Sequence, residues 1–328
     1  MFWLVRVSYI IIEGMILFLI TLFAIFVLIL NVLYKRTNHY RNQFVDVRKF
    51  WHDNDILDCL EIVNLGSNHP KFAFDYEGIG VRGMNLAVGP QTFEYDFSIL
   101  KKMTPHLSPN AVVVIPICLL SFFLYRQKNR NLHIKYYTFL PSSDIVDYSW
   151  WEKVKNIKFP LLFHPLFLRF IIRDCNSDNR LDIDTNPLKT DNELNRDAKF
   201  WLNCWNQEFG INIPSVRISD DNRQCIAQNI AILKEMLIYC QENGFNPVIV
   251  ILPVTSNLYS LFSEKFIEMQ LLHHINDANV VDAPVLNYLT DERFVDPCLY
   301  INSFVFNRIG RSKFTKEFIH YLRSMKLL

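Results

Sequence analysis

The longest uninterrupted run of hydrophobic positions lies at residues 14–33, GMILFLITLFAIFVLILNVL, and it contains no charged residue. Its notable polar residues are Thr21 and Asn31. Twenty residues rising 1.5 Å each span about 30 Å, the thickness of the hydrocarbon core of a bilayer. A secretory signal peptide has a shorter apolar region, about 7–15 residues, and a small-residue cleavage site; here Tyr34-Lys35-Arg36 follows. The pattern therefore predicts a retained transmembrane anchor in residues 1–34.

Two stretches outside this run are less apolar. Residues 35–55 are polar and charged, and they predict a stalk. Residues 159–172, FPLLFHPLFLRFII, are apolar but include His164, Arg169 and two prolines. They predict a core segment or a membrane-surface segment rather than a second span.

From residue 56 onward, short apolar runs alternate with amphipathic stretches. Residues 59–65, 111–117 and 246–254 have the composition of strands buried on both faces of a sheet. The stretch before the last run has apolar residues at helical spacing, N-cap candidates at 219–221 and a stop at Gly244; these apolar residues are Ile226, Ile230, Leu233, Leu237 and Cys240. A closing helix is predicted over 311–325. Helices followed by buried strands predict a doubly wound parallel α/β sheet in residues 56–328, with an irregular, aromatic-rich insertion at about 126–215.

Composition excludes some classes of function. A net charge of +1 in 328 residues gives no reason to expect a nucleic-acid partner. The seven cysteines are scattered, and no Cys/His cluster has the spacing of a zinc site. The sequence therefore predicts no cofactor and no metal site.

Five stretches of the chain share the order and character of the motifs of one enzyme family. They are NLGSNH, GMNLAVGPQTFEYDFSILKKM, VVVIPICLLSFF, NGFNPVIVILPVTSNLYS and LYINSFVFNRIGRSKFT. From about residue 58 onward the chain resembles SGNH/GDSL-type hydrolases, in particular the membrane-anchored branch associated with bacterial surface polysaccharide and related to the D-alanine transfer protein of teichoic acid modification. The resemblance implies a three-layer α/β/α, flavodoxin-like fold with its site at the carboxyl ends of the strands. It also implies a serine nucleophile, oxyanion donors and a late Asp/His pair.

The first of these motifs departs from the family pattern at its third residue. In the family the nucleophile is the third residue of a Gly-x-Ser turn, and here the turn reads Gly66-Ser67-Asn68. An amide is not a competent acyl nucleophile. The second motif places Gly89 as the oxyanion glycine and Asn85 at its start, although Gly89 also fits a plain turn before a proline.

The last motif also departs from the pattern. It keeps Asn307 and Gly310, but the Asp and His positions fall on Phe304 and Val305. Neither apolar side chain transfers a proton. A displaced arrangement stays open, in which Ser67 is the nucleophile and His69 or His106 is its base.

These observations favour a membrane-anchored SGNH-like protein with an inactive catalytic site. It would bind a glycopolymer, or an integral-membrane protein of polysaccharide biosynthesis, in the assembly or modification of a surface polysaccharide. The alternative is an active serine esterase or O-acyltransferase that acts on a surface glycopolymer with displaced residues. A structural membrane protein without a ligand is a third hypothesis.

Two arguments disagree about the side of the membrane. Arg6 precedes the predicted span, and five basic residues follow it closely: Lys35, Arg36, Arg41, Arg48 and Lys49. The positive-inside rule therefore predicts a cytoplasmic α/β domain. The resemblance implies a single-pass protein of the cell membrane with the domain outside the cytoplasm, and this is the orientation we expect.

Overall fold

The computed structural model describes residues 2–51, 57–124, 133–173, 190–213 and 218–328, with side chains from residue 12 onward. The chain forms two compact units. Unit 1 comprises residues 1–51 and 130–181, and unit 2 comprises residues 52–129 and 182–328. The predicted insertion at 126–215 therefore contributes to both units, and its residues 126–132, 174–189 and 214–215 lie outside the described residues.

Five strands and thirteen α-helices are present among the described residues. The strands are β1 (Leu60–Asn64), β2 (Gly83–Asn85), β3 (Leu107–Ile117), β4 (Asn246–Ile251) and β5 (Val285–Asn287). The helices are α1 (Phe2–Lys35), α2 (Asn38–Gln43), α3 (Asn68–Lys71), α4 (Phe93–Met103), α5 (Trp150–Lys153), α6 (Pro160–Phe163), α7 (Leu168–Arg173), α8 (Asp191–Phe209), α9 (Asp220–Glu242), α10 (Ser256–Tyr259), α11 (Glu264–Ile267), α12 (His273–Ala278) and α13 (Arg308–Ser324).

Helix α1 dominates unit 1. Its segment Ile12–Lys35 is long and apolar enough to cross a membrane, with a mean hydropathy of 3.1. Nearly all of its large apolar side chains between residues 12 and 29 are exposed. The hydroxyl of Thr21 donates to the Leu17 carbonyl (2.8 Å), one turn earlier in the same helix. An exposed apolar surface with a satisfied polar residue is suited to lipid.

The rest of unit 1 packs around the carboxyl end of α1. Tyr34 stacks on Phe167 with a centroid distance of 5.5 Å, and α1 contacts both α6 and α7. Within the segment predicted as a stalk, Tyr40, Phe44 and other apolar residues of 38–50 are buried. This part of the chain is therefore packed rather than extended.

Unit 2 contains one parallel sheet with the strand order β2-β1-β3-β4-β5. Val63 is the partner of Met84 in β2 and of Val113 in β3. The register continues from β3 to β4 and from β4 to β5. The predicted α/β fold with a parallel sheet is confirmed. The predicted strands at 59–65 and 246–254 contain β1 and β4, and the predicted strand at 111–117 forms the last part of β3, which begins earlier, at Leu107.

Helices cover both faces of this sheet. On one face, Phe314 and Phe318 of α13 share a buried cluster with Val112, Val114 and Val248. Alternate residues of the same strands, such as Val113 and Ile249, point to the other face and are also fully buried. On that side α9 contacts β4 and α4. The result is three layers, in which the carboxyl-terminal parts of β3 and β4 are buried.

The strand order determines where a ligand site can form. The chain leaves β1 toward one edge of the sheet and leaves β3 toward the other edge. In open α/β sheets a crevice forms at such a switch point, outside the carboxyl ends of the two strands. Here the residues at that point are the Gly66-Ser67-Asn68 turn after β1 and Cys118 after β3.

Candidate functional site

A cavity of about 230 Å³ occupies this switch point. Its walls come from the turn after β1, the loop after β2, helix α4, the ends of β3 and β4, and helices α8 and α10. The predicted site residues Gly66, Ser67, Asn68, His69 and Phe304 all line it. The structure therefore brings together residues that are separated by more than 230 positions in the sequence.

The turn after β1 depends on Gly66. Its φ of +112° lies in the region that favours glycine. A Cβ built on Gly66 would also lie 2.5 Å from the Cγ of Pro70. The Gly66 carbonyl accepts a hydrogen bond from the Val88 N–H (3.0 Å). This turn is therefore tight and fixed to the loop after β2.

Ser67 and Asn68 follow the glycine, and no basic side chain among the described residues is hydrogen-bonded to either of them. The Ser67 hydroxyl oxygen accepts a hydrogen bond from the backbone N–H of Gln91 (3.1 Å). The Asn68 side chain lies directly against Gly89, because a Cβ built on that glycine would overlap the Asn68 amide oxygen. Asn68 is thus the residue of the turn that packs against the predicted oxyanion glycine.

Beneath this turn lies the carboxyl group of Asp96, on α4. It is buried, and its Oδ1 accepts hydrogen bonds from the backbone N–H of Gly66 (2.6 Å) and from the Gln91 side-chain amide. Burial raises the pKa of Asp96 to about 7, and the hydrogen bonds from Gln91 and Gly66 oppose this rise. A buried carboxyl thus holds the turn and the loop after β2 together.

His69 and Cys118 form a buried pair beside the turn. The Cys118 Sγ lies 3.5 Å from His69 Nδ1. Burial lowers the pKa of His69 to about 3, and the nearby Pro253 carbonyl opposes this shift. Among the described residues, His69 Nε2 has no hydrogen-bond partner of normal geometry. Burial also raises the pKa of the Cys118 thiol to about 12. The pair is therefore a neutral thiol beside a neutral, weakly basic imidazole.

Aromatic side chains form the opposite wall of the cavity. Trp201 and Trp205 of α8 both contact Phe304, with centroid distances of 5.3 and 5.5 Å. Phe304 in turn meets the His69 ring edge-on at 5.8 Å. These contacts close the apolar part of the cavity over the strand ends.

Helix α8 is held in this position by defined polar contacts. Thr190 and Glu193 form a capping box at its start. The Asp197 carboxylate accepts hydrogen bonds from both the backbone N–H and the hydroxyl of Ser303, at 2.9 and 2.8 Å. Ser303 is the residue before Phe304, so these bonds fix the tryptophans of α8 relative to Phe304.

Three predicted site residues have structural roles outside the cavity lining. The Asn85 side-chain amide donates to the carbonyls of Lys71 and Phe74, at 3.1 and 2.9 Å. The side-chain amide oxygen of Asn307 accepts the Gly310 N–H at the start of α13 (2.9 Å). Val305 is buried, and its carbonyl accepts the Ile301 N–H (2.8 Å).

The second candidate base, His106, lies at the other end of the sheet. It precedes β3, and its Nδ1 is 2.8 Å from a carboxylate oxygen of Asp58, which precedes β1. Ser67 follows the carboxyl end of β1. His106 therefore cannot act on Ser67 in this structure.

The cavity contains acidic groups but no lysine or arginine among the lining residues that the structure describes. Its ionisable carboxyls are those of Asp96 and Glu208, and burial raises the pKa of Glu208 as well. No cluster of three or more His, Cys, Asp or Glu side chains in the described part of the chain could hold a metal ion.

Several lining residues were not predicted from the sequence. Asp96, Gln91 and Cys118 have no motif, because their roles depend on burial and on contacts between distant loops. The sequence does contain a signal for the helix that carries Trp201 and Trp205. The two residues are four positions apart, a capping sequence precedes them at 190–193, and Gly210 follows them as a helix stop. Reading that signal would have predicted a helix inside the irregular insertion.

Comparisons with known proteins add no relative. A scan against protein-family models finds no matching family, and a search of curated proteins finds no match. The functional argument therefore rests on the geometry of the cavity.

Proposed function

We propose that this chain is a membrane-anchored protein of the SGNH/GDSL type whose catalytic site has become a binding site. The observation that carries the proposal is the turn itself. Asn68 holds the position at which the resemblance expects the nucleophile, and its side chain packs against Gly89. The Ser67 hydroxyl oxygen accepts the backbone N–H of Gln91.

The residues around the turn do not supply a serine–base pair. His69 is the nearest imidazole in sequence, but its Nδ1 faces the Cys118 sulfur. With a pKa of about 3, its imidazole is a weak base at neutral pH. The position expected for the catalytic acid or base holds Phe304, which packs on that same imidazole.

The cavity favours a neutral ligand with an apolar body. A cavity of about 150 Å³ already accommodates benzene in another protein, so about 230 Å³ accommodates a short acyl chain or one ring. Trp201, Trp205 and Phe304 supply the apolar wall, and Asn68 and Gln91 supply polar groups at the other end. The carboxyls of Asp96 and Glu208 disfavour anionic ligands.

An acyl-bearing glycopolymer, or an acylated intermediate of its assembly, has this chemistry. The role we propose is capture of such a group close to the membrane, during biosynthesis or modification of a surface polysaccharide. The support comes from the apolar helix α1, the cavity at the switch point and the family resemblance of the five sequence stretches.

Binding is tested with full-length protein in lipid nanodiscs. Methyl bromohexanoate is a neutral acyl ester whose bromine quenches tryptophan at short range, and bromohexanoate is its anionic analogue. We expect saturable quenching by the ester and binding of the anion about tenfold weaker at pH 8, a difference of about 1.4 kcal/mol. The variant Trp201→Phe/Trp205→Phe should lose the saturable part of the quenching, because Trp51, Trp150 and Trp151 do not line the cavity and quenching by ester dissolved in the lipid does not saturate. Equal binding of the anion would refute the proposed ligand class.

Hydrolysis separates the proposal from its alternative, an active serine esterase or O-acyltransferase. We expect no enzymatic release of nitrophenol from p-nitrophenyl acetate. Turnover that is lost in Ser67→Ala and kept in Ser121→Ala would establish the esterase instead. Ser121 is the matched control, because its hydroxyl also lies at the cavity but accepts the Cys118 N–H (2.8 Å).

We further propose that unit 2 lies outside the cytoplasm. Cys59 and Cys298 are exposed thiols of this unit. In intact cells an impermeant maleimide should label them, which is measured on the peptides that contain Cys59 and Cys298, and Cys59→Ser/Cys298→Ser should remove the label from those peptides. Labelling only after the cells are lysed would place the unit in the cytoplasm, as the charge distribution predicts.

A further inference from the structure

We propose that residues 150–173 of unit 1, which we call the collar, lie on the membrane surface and bind anionic lipid headgroups. None of these residues lines the cavity in unit 2. The inference rests on four observations: depth, packing, exposure and charge.

The depth of the collar follows from Asn31. Its side-chain amide donates to the Lys158 carbonyl (2.7 Å), and its amide oxygen lies 3.5 Å from the Leu161 N–H. Asn31 is four residues before the end of the candidate span at Lys35, which is about 6 Å along a helix. The backbone at 158–161 therefore lies at the boundary between hydrocarbon and headgroups when α1 spans a bilayer.

Packing keeps the collar against α1. Tyr34 stacks on Phe167, and His39 stacks on Phe170 with a centroid distance of 3.6 Å. Helices α6 and α7 both contact α1. The collar is thus fixed at this depth by hydrogen bonds and by aromatic contacts.

The collar exposes large apolar side chains beside the span. Leu166 is 76% exposed and Ile172 is 82% exposed. Trp150 and Trp151 are also exposed. Scattered apolar residues are normal on a soluble surface, but these share one short segment next to a lipid-facing helix. Tryptophan and aliphatic side chains at this level are typical of a membrane interface.

The charge of the collar identifies the lipid class. It has five basic residues and one acidic residue; the basic residues are Lys153, Lys155, Lys158, Arg169 and Arg173, and the acidic residue is Glu152. Lys158 is also close enough to Lys35 for the two ammonium groups to repel each other. An anionic headgroup would relieve this repulsion, and basic residues beside a membrane helix attract anionic lipids.

The occupant we infer is the lipid surface rather than a protein partner, because the exposed apolar and basic residues belong to a segment that packs on the carboxyl end of α1.

Photo-crosslinking in vesicles tests the contact. Full-length protein carrying a benzophenone amino acid at position 166 is reconstituted into vesicles with equal amounts of phosphatidylcholine and phosphatidylglycerol. Lipid adducts are measured by mass spectrometry. The matched control carries the same amino acid at Ile309, which is 67% exposed and lies in unit 2. We expect adducts at position 166 to exceed those at position 309 by about tenfold. Equal yields at the two positions, or none at 166, would overturn the proposal.

The headgroup is tested in the same vesicles. We expect phosphatidylglycerol to be enriched in the adducts at position 166 relative to the bulk lipid. The variant Lys158→Gln/Arg173→Gln should return this ratio to the bulk value while the adducts persist, which shows that the collar is still folded on the membrane. Adducts of the two lipids in the bulk ratio with the unsubstituted charges would refute the anionic preference. None of these results depends on the cavity ligand.

Discussion

The replacement Asp96→Asn tests the central polar group of the site. An asparagine keeps an oxygen that accepts the Gly66 N–H and the Gln91 amide, but it cannot ionise. The Asp96 carboxyl is only 5% exposed, and its pKa rises from an ordinary 3.8 to about 7. At 1.36 kcal/mol for each pKa unit, this difference corresponds to about 4 kcal/mol.

The sign of the effect depends on pH. An acid whose pKa is higher in the folded protein binds its proton more tightly there, so ionisation disfavours the fold. This destabilisation is absent below about pH 4, grows toward pH 7 and is constant above that. The variant should therefore match the unsubstituted protein at acid pH and exceed its stability at pH 8 by up to about 4 kcal/mol, or on the order of 10 °C in Tm.

Thermal unfolding of the full chain in nanodiscs, followed by circular dichroism at pH 4 and pH 8, measures this difference. Glu235→Gln, at an exposed position of α9, controls for the loss of one negative charge. An Asp96→Asn stabilisation that is the same at both pH values would refute the reasoning, as would a variant that is less stable at pH 8.

Three further outcomes are expected from other parts of the chain. Gly66→Ala should destabilise the protein by about 3 kcal/mol in thermal unfolding, because its Cβ would lie 2.5 Å from the Pro70 ring and its backbone would be strained. Gly78→Ala is the control, since Gly78 has a φ of +70° but open space around it, and it should destabilise the protein less. Equal losses of stability would contradict the steric argument. Asn31→Leu should increase amide hydrogen exchange at 158–163 about tenfold, since it removes the link worth about 1–2 kcal/mol, whereas Thr21→Val should leave that exchange unchanged. Cys118 should react with maleimide at pH 8 far more slowly than the exposed thiols, because a pKa of about 12 leaves about one thiol in 10,000 ionised. Peptide mass spectrometry measures the rate of labelling at each cysteine. Equal rates would show that the Cys118 thiol is activated.

The sheet was largely predictable because its central strands are buried on both faces. Such strands are continuous apolar runs, and β1, β3 and β4 were visible for that reason. Strands β2 and β5 were not predicted, since each has three residues and neither shows a period. The helix over 219–244 was visible from its apolar stripe and its N-cap, and the structure confirms both in α9 and Ser219.

The site was predictable in position and only partly in composition. The turn at Gly66 and the wall at Phe304 were found from sequence order, and the structure brings both to one cavity. Asp96 was overlooked because an acidic residue in an amphipathic helix normally faces solvent. The pairing of His69 with Cys118 joins two strand ends, and a single sequence contains no signal for such a contact.

Asn31 also limits how the anchor can move. A helix that only passes through lipid can turn freely about its own axis. Here the amide of Asn31 and the ring of Tyr34 fasten one side of α1 to the collar. In the membrane placement that we propose, a rotation of α1 about its axis must therefore carry the collar around with it, across the headgroups. The rotational orientation of the anchor would thus be coupled to the lipids that surround the protein.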